Sequence, residues 1–258
     1  MNILILIFIG FLVGLFVISM GGGGAAVYLG VLTTIVGLEG TEAVSTSLVI
    51  AFPALVFGAF SYYRQRKINF KLGCRMLLSA LPAVVIGSLI APFIHKNIFN
   101  ILIGVILAFL GVQIFIQVLK RKTMDKEKKK EIHPFVPVIY AIISGLMVGI
   151  GGLSGGGPIV AGLLIMGLDM VAASATSSFI LVGMTFVGII FHLSGNIDWV
   201  NGIGLMIGSL VGAFSAPIFL SHINTNKLTK IVKPIMGILL FIMGIANILD
   251  FKNIIQFK

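Results

Sequence analysis

Residues 20–30 read MGGGGAAVYLG and residues 154–164 read SGGGPIVAGLL, so a glycine cluster occurs twice in this chain of 258 residues. Each cluster lies inside a long apolar stretch, residues 1–38 and 134–168, that contains no Asp, Glu, Lys or Arg. A continuous helix of that length would span roughly 50 Å, whereas the hydrocarbon core of a bilayer is about 30 Å thick. We therefore expect each stretch to break at its glycines, and paired broken helices indicate the binding site of a transporter.

The composition is that of a membrane protein. Hydrophobic residues make up 58% of the chain and charged residues only 10%, and the mean hydropathy is +1.15. A water-soluble domain of this size needs a larger charged surface. The long apolar stretches therefore predict an all-α polytopic membrane protein. The first stretch has no basic region and no small-residue cleavage site, so we expect it to be retained as a transmembrane segment.

The net charge of +10 comes mainly from two basic clusters. Five of the 18 Lys and Arg residues lie in residues 64–75 and seven lie in residues 120–130. Basic clusters beside apolar spans are typical of cytoplasmic loops, so the charge indicates a lipid bilayer rather than a nucleic acid as partner. Cys74 is the single cysteine, which excludes an internal disulfide. No pattern of His, Cys and carboxylates has metal-ligand spacing, so we predict no metal and no cofactor.

The polar segment 120–133 divides the chain almost equally. We interpret residues 1–119 as a first transmembrane repeat, residues 120–133 as a basic cytoplasmic linker, and residues 134–258 as a second transmembrane repeat. Five landmarks keep their order in the two halves, which indicates homologous repeats. They are Gly22, Gly23 and Gly24 with Gly155, Gly156 and Gly157; Gly37-Leu38-Glu39 with Gly167-Leu168-Asp169; Ala43-x-x-Thr46-Ser47 with Ala173-x-x-Thr176-Ser177; Ala91-Pro92 with Ala216-Pro217; and Gly104 and Gly111 with Gly237 and Gly244.

The orientation of the second half depends on the short segments after the glycines, residues 24–37 and 157–168. If they cross the membrane, each half has five spans and the second half is inverted; if they re-enter, each half has four and the halves are parallel. The loop after the third span is basic, whereas its counterpart, residues 194–198, has no Lys or Arg, and the next pair of loops shows the opposite bias. Opposite bias in matching loops predicts inverted five-plus-five repeats.

The duplicated motifs resemble those of the TauE/SafE family, also described as sulfite exporters or toluene sulfonate uptake permeases. The resemblance is carried by Gly155-Gly156-Gly157-Pro158, Gly167-Leu168 and Ala173-x-x-Thr176-Ser177, and by their counterparts in the first half. It covers the chain from Phe8 to Leu249 and implies secondary transport of a small organosulfur acid or oxyanion, such as sulfite, a sulfonate or sulfoacetate. The first half departs from the second in having Ala25 where the second has Pro158.

The glycine clusters and the hydroxyl residues around them are the predicted substrate site. Glycine lets the backbone unwind and present N–H groups to an anion at the start of the next helix. Hydroxyl groups add neutral donors, which suit a carrier that must release its ligand. Close helix packing is the alternative for the glycines, and bonds to the residues' own helix are the alternative for the hydroxyls. The predicted substrate-binding residues are Ser19, Gly22, Gly23, Gly24, Thr46, Ser47, Ser154, Gly155, Gly156, Gly157, Thr176 and Ser177.

Four ionisable residues near the apolar stretches are candidates for proton coupling: Glu39, Glu42, Asp169 and His192. The three acidic residues lie where helices should start or end, so helix capping is the alternative that we favour for them. A structural role is the alternative for His192. No nucleotide-binding loop or catalytic triad pattern occurs, so we predict neither an enzyme nor direct drive by ATP.

The sequence therefore predicts a secondary transporter of the cell membrane that moves a small anion by alternating access, with protons as a possible coupling ion. Two alternatives remain open, an anion channel and a non-transporting membrane scaffold or subunit. The exact substrate, the direction of transport and the choice between monomer and homodimer are not determined by the sequence.

Overall fold

The computed structural model describes residues 3–19, 25–38, 40–120, 135–153, 155–193, 196–222, 234–235, 237–246 and 248–249. These residues form helices joined by short turns and contain no β-strand, so the all-α prediction is confirmed. The first half contains α1 (Ile3–Ser19), α2 (Ala25–Val31) with a π-helical continuation (Leu32–Val36), α3 (Gly40–Arg64), α4 (Phe70–Ile90) with a 3-10 turn (Ala91–Phe93), and α5 (Lys96–Lys120). The second half contains α6 (Val136–Gly151), α7 (Gly156–Ile165), α8 (Met170–His192), α9 (Trp199–His222) and α10 (Gly237–Ala246).

The outer surface of the helices is apolar. Within the described residues, three helical segments are long and apolar enough to span a bilayer, Gly40–Arg64, Phe70–Phe93 and Val171–His192. Large apolar side chains on them face outward: Phe57 is 49% exposed, Leu78 is 69% exposed and Phe186 is 53% exposed. Such a surface is stable in lipid and not in water, so the protein is a polytopic membrane protein.

One capping side chain precedes the fourth helix of each half, Asn69 before α4 and Asp198 before α9. The side chain of Asn69 accepts a hydrogen bond from the N–H of Leu72 at 3.1 Å, and Asp198 accepts one from the N–H of Asn201 at 3.1 Å. Each cap satisfies a donor that the first turn of a helix leaves unpaired. Because Asn69 provides this cap, α4 begins at Phe70, six residues before the apolar span 76–94 that hydropathy predicts.

The helices α1 and α9 run parallel and touch along small residues. A Cβ atom placed on Gly10 would overlap the carbonyl oxygen of Leu205, and one placed on Gly14 would overlap the carbonyl oxygen of Ser209. The backbones can approach this closely because these two positions have no side chain.

The helices α4 and α6 cross in the same way. A Cβ atom on Gly145 would overlap the carbonyl oxygen of Ala80, and one on Gly149 would overlap that of Val84. The contacted residues on α4, Ala80 and Val84, precede those on α9, Leu205 and Ser209, by 125 positions. The same offset relates Ala91-Pro92 to Ala216-Pro217. The first helix of each half therefore packs on the fourth helix of the other half, and the repeat itself stays a prediction.

The fifth helices also meet through matched glycines. A Cβ atom on Gly111 would lie 2.5 Å from the carbonyl oxygen of Gly237, and one on Gly244 would lie 2.6 Å from that of Gly104. The later residue of α5, Gly111, meets the earlier residue of α10, Gly237, and the earlier Gly104 meets the later Gly244. The two helices are therefore antiparallel.

The third helices, α3 and α8, are antiparallel as well. The hydroxyl of Ser45, near the start of α3, donates to the carbonyl of His192, the last residue of α8, at 3.2 Å. Near the start of α8, the hydroxyl of Thr176 accepts a hydrogen bond from the N–H of Asn69, which lies just beyond the end of α3. This is the arrangement that an inverted second half requires.

Candidate substrate site at the helix breaks

The second apolar stretch breaks between α6 and α7. Gly152 has a φ of +59°, a left-handed conformation that suits glycine, and its N–H bonds to the carbonyl of Val148 at 3.0 Å. This bond, from the left-handed residue to the carbonyl four residues earlier, is that of an αL helix end, and the N–H of Leu153 reaches back to the carbonyl of Met147 at 3.4 Å. A new helix then starts at Gly156, so this break lies where the sequence predicts it.

The first turn of α7 is buried and presents backbone donors. Pro158 lies in this turn, where its missing N–H leaves no carbonyl unpaired, and the first helical hydrogen bond runs from the N–H of Ile159 to the carbonyl of Gly155 at 3.3 Å. The N–H groups of Gly156 and Gly157 have no acceptor within their own helix. The start of α7 therefore combines backbone donors that its own helix leaves unpaired with the positive end of a helix dipole.

The hydroxyl groups of two serines, one on α6 and one on α3, form hydrogen bonds with backbone carbonyls at this break. The hydroxyl of Ser144 on α6 donates to the carbonyl of Gly155 at 2.5 Å. The hydroxyl of Ser47 on α3 donates to the carbonyl of Val44 at 2.8 Å and reaches that of Gly152 at 3.3 Å. A Cβ atom on Gly155 would overlap the Ser144 hydroxyl, so close packing and an unwound backbone occur together at this glycine. Sequence reasoning did not select Ser144, because the matching position of the first half is Ile9.

In the first half, α1 ends at Ser19 and α2 begins at Ala25. Gly22, Gly23 and Gly24 lie outside the described residues, as do Ser154 in the second break and Glu39. Their predicted roles stay predictions.

Ser177 differs from its match in the other half. Its side chain is fully buried on α8, and its hydroxyl has no hydrogen-bond partner within the described part of the chain. Ser47, at the matching position of α3, has its hydroxyl occupied by carbonyl groups. Ser177 therefore keeps a free donor and Ser47 does not.

Thr46 and Thr176 join the two halves. The hydroxyl oxygen of Thr46 accepts a hydrogen bond from the N–H of Asp198 at 3.1 Å, and that of Thr176 accepts one from the N–H of Asn69 at 3.0 Å. Both threonines are fully buried. Each bond uses one of the two acceptor lone pairs of the hydroxyl oxygen, and a contact of either threonine with substrate stays a prediction.

The family described as Sulfite exporter TauE/SafE matches residues 6–247. This chain belongs to that family. A relative from Bacillus subtilis (strain 168), described as probable membrane transporter protein YjnA, is 28% identical over 265 residues, which cover 95% of this chain and 98% of the relative. A second relative from the same strain, probable membrane transporter protein YdhB, is 26% identical over 235 residues, which cover 89% of this chain and 93% of the relative. The resemblance stated from the motifs is thereby confirmed, and the protein is a membrane transporter by family.

The acidic candidates of this TauE/SafE protein lie at helix starts. Asp169 is exposed and caps α8, because its carboxylate accepts hydrogen bonds from the N–H groups of Val171 at 2.9 Å and Ala172 at 2.8 Å. Glu42 lies partly exposed in the first turn of α3, where a negative charge favours the helix dipole. Among the described residues, no Asp, Glu, Lys or Arg side chain is buried.

His192 is the buried ionisable candidate, with 4% of its side chain exposed. Its Nδ1 lies 3.0 Å from the carbonyl oxygen of Gly188. A carbonyl only accepts, so Nδ1 donates the proton and the lone pair of the neutral ring lies on Nε2. Within the described residues Nε2 has no hydrogen-bond partner, which leaves it available to take up a proton.

Proposed function

We propose that this TauE/SafE protein is a secondary transporter that carries a small oxyanion, either sulfite or the sulfonate group of an organosulfur acid, across the cell membrane by alternating access. The observation that carries the proposal is the helix break at Gly155–Gly156. It supplies buried backbone donors and the positive end of α7 to the interior of a membrane protein.

An anion is the ligand class that suits these groups. Backbone N–H groups only donate, and the N-terminus of a helix carries a partial positive charge. A full positive charge would hold an anion too tightly for release, and the described residues bury no Lys or Arg side chain. Neutral donors compensate part of the cost of removing an anion from water while allowing it to leave again.

Alternating access is supported by the arrangement of the halves. The first helix of each half packs on the fourth helix of the other, and the third helices are antiparallel. Antiparallel third helices require an odd number of crossings in each half, which favours inverted five-plus-five repeats with segments 24–37 and 157–168 crossing. A site between two inverted halves can be opened to either side when one half rocks against the other.

Proton coupling is part of the proposal, with His192 as the carrier. It is the candidate that combines burial with an unpaired ring nitrogen, whereas Asp169 is engaged as a cap. An imidazole that takes up a proton on one side and releases it on the other would couple transport to a pH gradient.

Reconstitution of the purified protein into liposomes tests the proposal. We expect saturable uptake of labelled sulfite or a short sulfonate, counterflow exchange, and loss of both in Gly156→Val. Gly188→Ala is a control, because a Cβ atom at that position would meet nothing closer than 3.4 Å. Non-saturating flux with single-channel currents would contradict the carrier and favour a pore. Absence of flux with these anions would contradict the proposed function.

A further inference from the structure

The turn between α3 and α4 holds an arginine in a conformation that favours glycine. Arg66 has a φ of +53° and is the only non-glycine residue with a positive φ within the described part of the chain. Its N–H bonds to the carbonyl of Tyr63 at 2.9 Å, and the N–H of Lys67 bonds to that of Tyr62 at 3.2 Å, which together form a Schellman helix end. An L side chain is strained at this position, so the arginine side chain calls for a role outside the turn.

Arg66 belongs to a group of five exposed basic side chains, which we call the hairpin cluster. The members are Arg64, Arg66, Lys67, Lys71 and Arg75. None of them forms an ion pair with another residue that the structure describes. Two of the described carboxylates, Glu42 and Asp198, lie at the opposite end of α3, and Asp169 is engaged as the cap of α8. The cluster is therefore a concentrated positive charge that attracts an anion.

On α4 the cluster lies where the lipid-facing surface begins. Lys71 and Arg75 are one turn apart, and the same side of the helix continues with the exposed side chains of Leu78, Ile86 and Leu89. The exposed surface thus changes from charged to apolar within one helical turn. Exposed apolar side chains of a membrane protein face the acyl chains, so the basic residues that precede them lie at the level of the lipid headgroups.

The end of α3 shows the same change, with aromatic rings at the boundary. The exposed side chains of Phe57 and Phe60 are followed one turn later by Arg64, whose Cζ lies 5.9 Å from the centroid of the Phe60 ring. The exposed rings of Tyr63 and Phe70 meet edge to face, with their centroids 6.0 Å apart, and connect α3 to α4. Aromatic rings beside basic residues are typical of the membrane interface.

The backbone of this hairpin is held at both ends. The Schellman bonds tie the turn to the last residues of α3, and the N–H of Asn69 bonds to the hydroxyl of Thr176 on α8 at 3.0 Å. The side chain of Asn69 also caps α4. The backbone that carries the basic residues is therefore ordered before a ligand arrives, which reduces the entropy lost on binding.

We propose that the hairpin cluster binds the headgroup of an anionic phospholipid, whose acyl chains lie along the apolar sides of α3 and α4. Arginine and lysine side chains both bind phosphate, and the fork of arginine can do so with two hydrogen bonds. The partner is a lipid rather than a soluble anion because the charges lie where the lipid-facing apolar surface begins. This inference is independent of the transported substrate.

The test follows the thermal midpoint of the purified full chain in a neutral detergent during titration with lipid. Phosphatidylglycerol should raise the midpoint, because it binds the folded state, and phosphatidylcholine should raise it much less. We expect the phosphatidylglycerol concentration of half-maximal effect to increase about fivefold in Lys71→Gln and in Arg75→Gln, since each loses one cation near the headgroup. Lys96→Gln is the control, because it neutralises a basic residue beyond the far end of α4 and should respond as the wild type does.

Arg66→Gly separates lipid binding from a role in the turn. Glycine adopts this φ without strain, so the variant should have a higher midpoint than the wild type without lipid. Its response to phosphatidylglycerol should nevertheless be weaker, because the cation is lost. Arg66→Lys keeps the charge and should stay close to the wild type in both measurements. A higher midpoint in Arg66→Gly with an unchanged lipid response would exclude Arg66 from the lipid site.

Two further outcomes would overturn the proposal as a whole. The first is a wild-type response to phosphatidylglycerol in the combined variant Arg66→Gly, Lys71→Gln and Arg75→Gln. The second is stabilisation by inorganic phosphate equal to that by phosphatidylglycerol, which would indicate a site for a soluble anion. Neither measurement depends on flux, so the proposed function can fail while the lipid site stands, and the reverse also holds.

Discussion

The hydroxyl oxygen of Thr46 accepts a hydrogen bond from the backbone N–H of Asp198, 3.1 Å away and 152 residues later in the chain. The same bond occurs between Thr176 and Asn69 at the opposite end of the antiparallel pair α3 and α8. Each bond joins the third helix of one half to the residue that caps the fourth helix of the other half. A hydrogen bond from a backbone N–H to a threonine hydroxyl therefore joins the two halves at both ends of this helix pair.

Thr46→Val should weaken one of these ties. The substitution keeps the shape but leaves the half-buried Asp198 N–H without its acceptor, which costs about 1 kcal/mol, the lower end of the range for buried donors. We expect a lower thermal midpoint in detergent, whereas Thr46→Ser keeps the hydroxyl and should lie closer to the wild type. Equal midpoints for the two variants would show that the bond contributes nothing measurable to stability.

Gly149→Ala should disrupt the crossing of α4 and α6. A Cβ atom at this position would overlap the carbonyl oxygen of Val84, so the helices must separate. Overpacking of this kind typically costs about 1–3 kcal/mol. Gly188→Ala on α8 is the matched control because its Cβ atom meets only ordinary contacts. Thermal unfolding followed by fluorescence-detected gel filtration measures the difference, and a Gly149→Ala midpoint equal to that of the control would refute the close contact.

Asp169→Ala should lower stability without changing the pH dependence of transport. The carboxylate caps α8, and loss of such a cap costs about 1 kcal/mol. Asp169→Ser keeps a capping oxygen without the negative charge, so it should restore most of the stability. If Asp169→Ser instead abolished accumulation driven by a pH gradient, the residue would act in proton coupling as well as in capping.

His192→Asn tests the proposed proton carrier. An asparagine amide can still donate to the carbonyl of Gly188 but cannot take up a proton near neutral pH. We expect uptake against a concentration gradient to be lost, while counterflow exchange without a pH gradient continues. Accumulation at the wild-type level in this variant would exclude His192 as the carrier.

The positions of the helices follow closely from local sequence. The second break lies at the glycine cluster, because the residues that unwind and restart a helix are Gly152, Gly156 and Pro158 themselves. Hydropathy alone starts α4 too late, since Lys71 and Arg75 lower the local average. Asn69 was the better signal, because an asparagine directly before an apolar helix satisfies its first N–H groups.

The roles of the polar residues could not be obtained in the same way. Sequence matching treated Ser47 and Ser177 as equivalents, yet the hydroxyl of one is bonded to carbonyl groups and that of the other has no partner among the described residues.

The sequence by itself determined that this protein enters a membrane as helices and that its second apolar stretch breaks at the glycines. Hydropathy, helix length and the conformational freedom of glycine are properties of neighbouring residues. Only the tertiary structure decided which helices pair and which hydroxyls remain free. Thr46 meets Asp198, and Thr176 meets Asn69, across distances in the chain that no local pattern encodes. A hydrogen bond depends on the position of both partners, and packing alone brings those partners together.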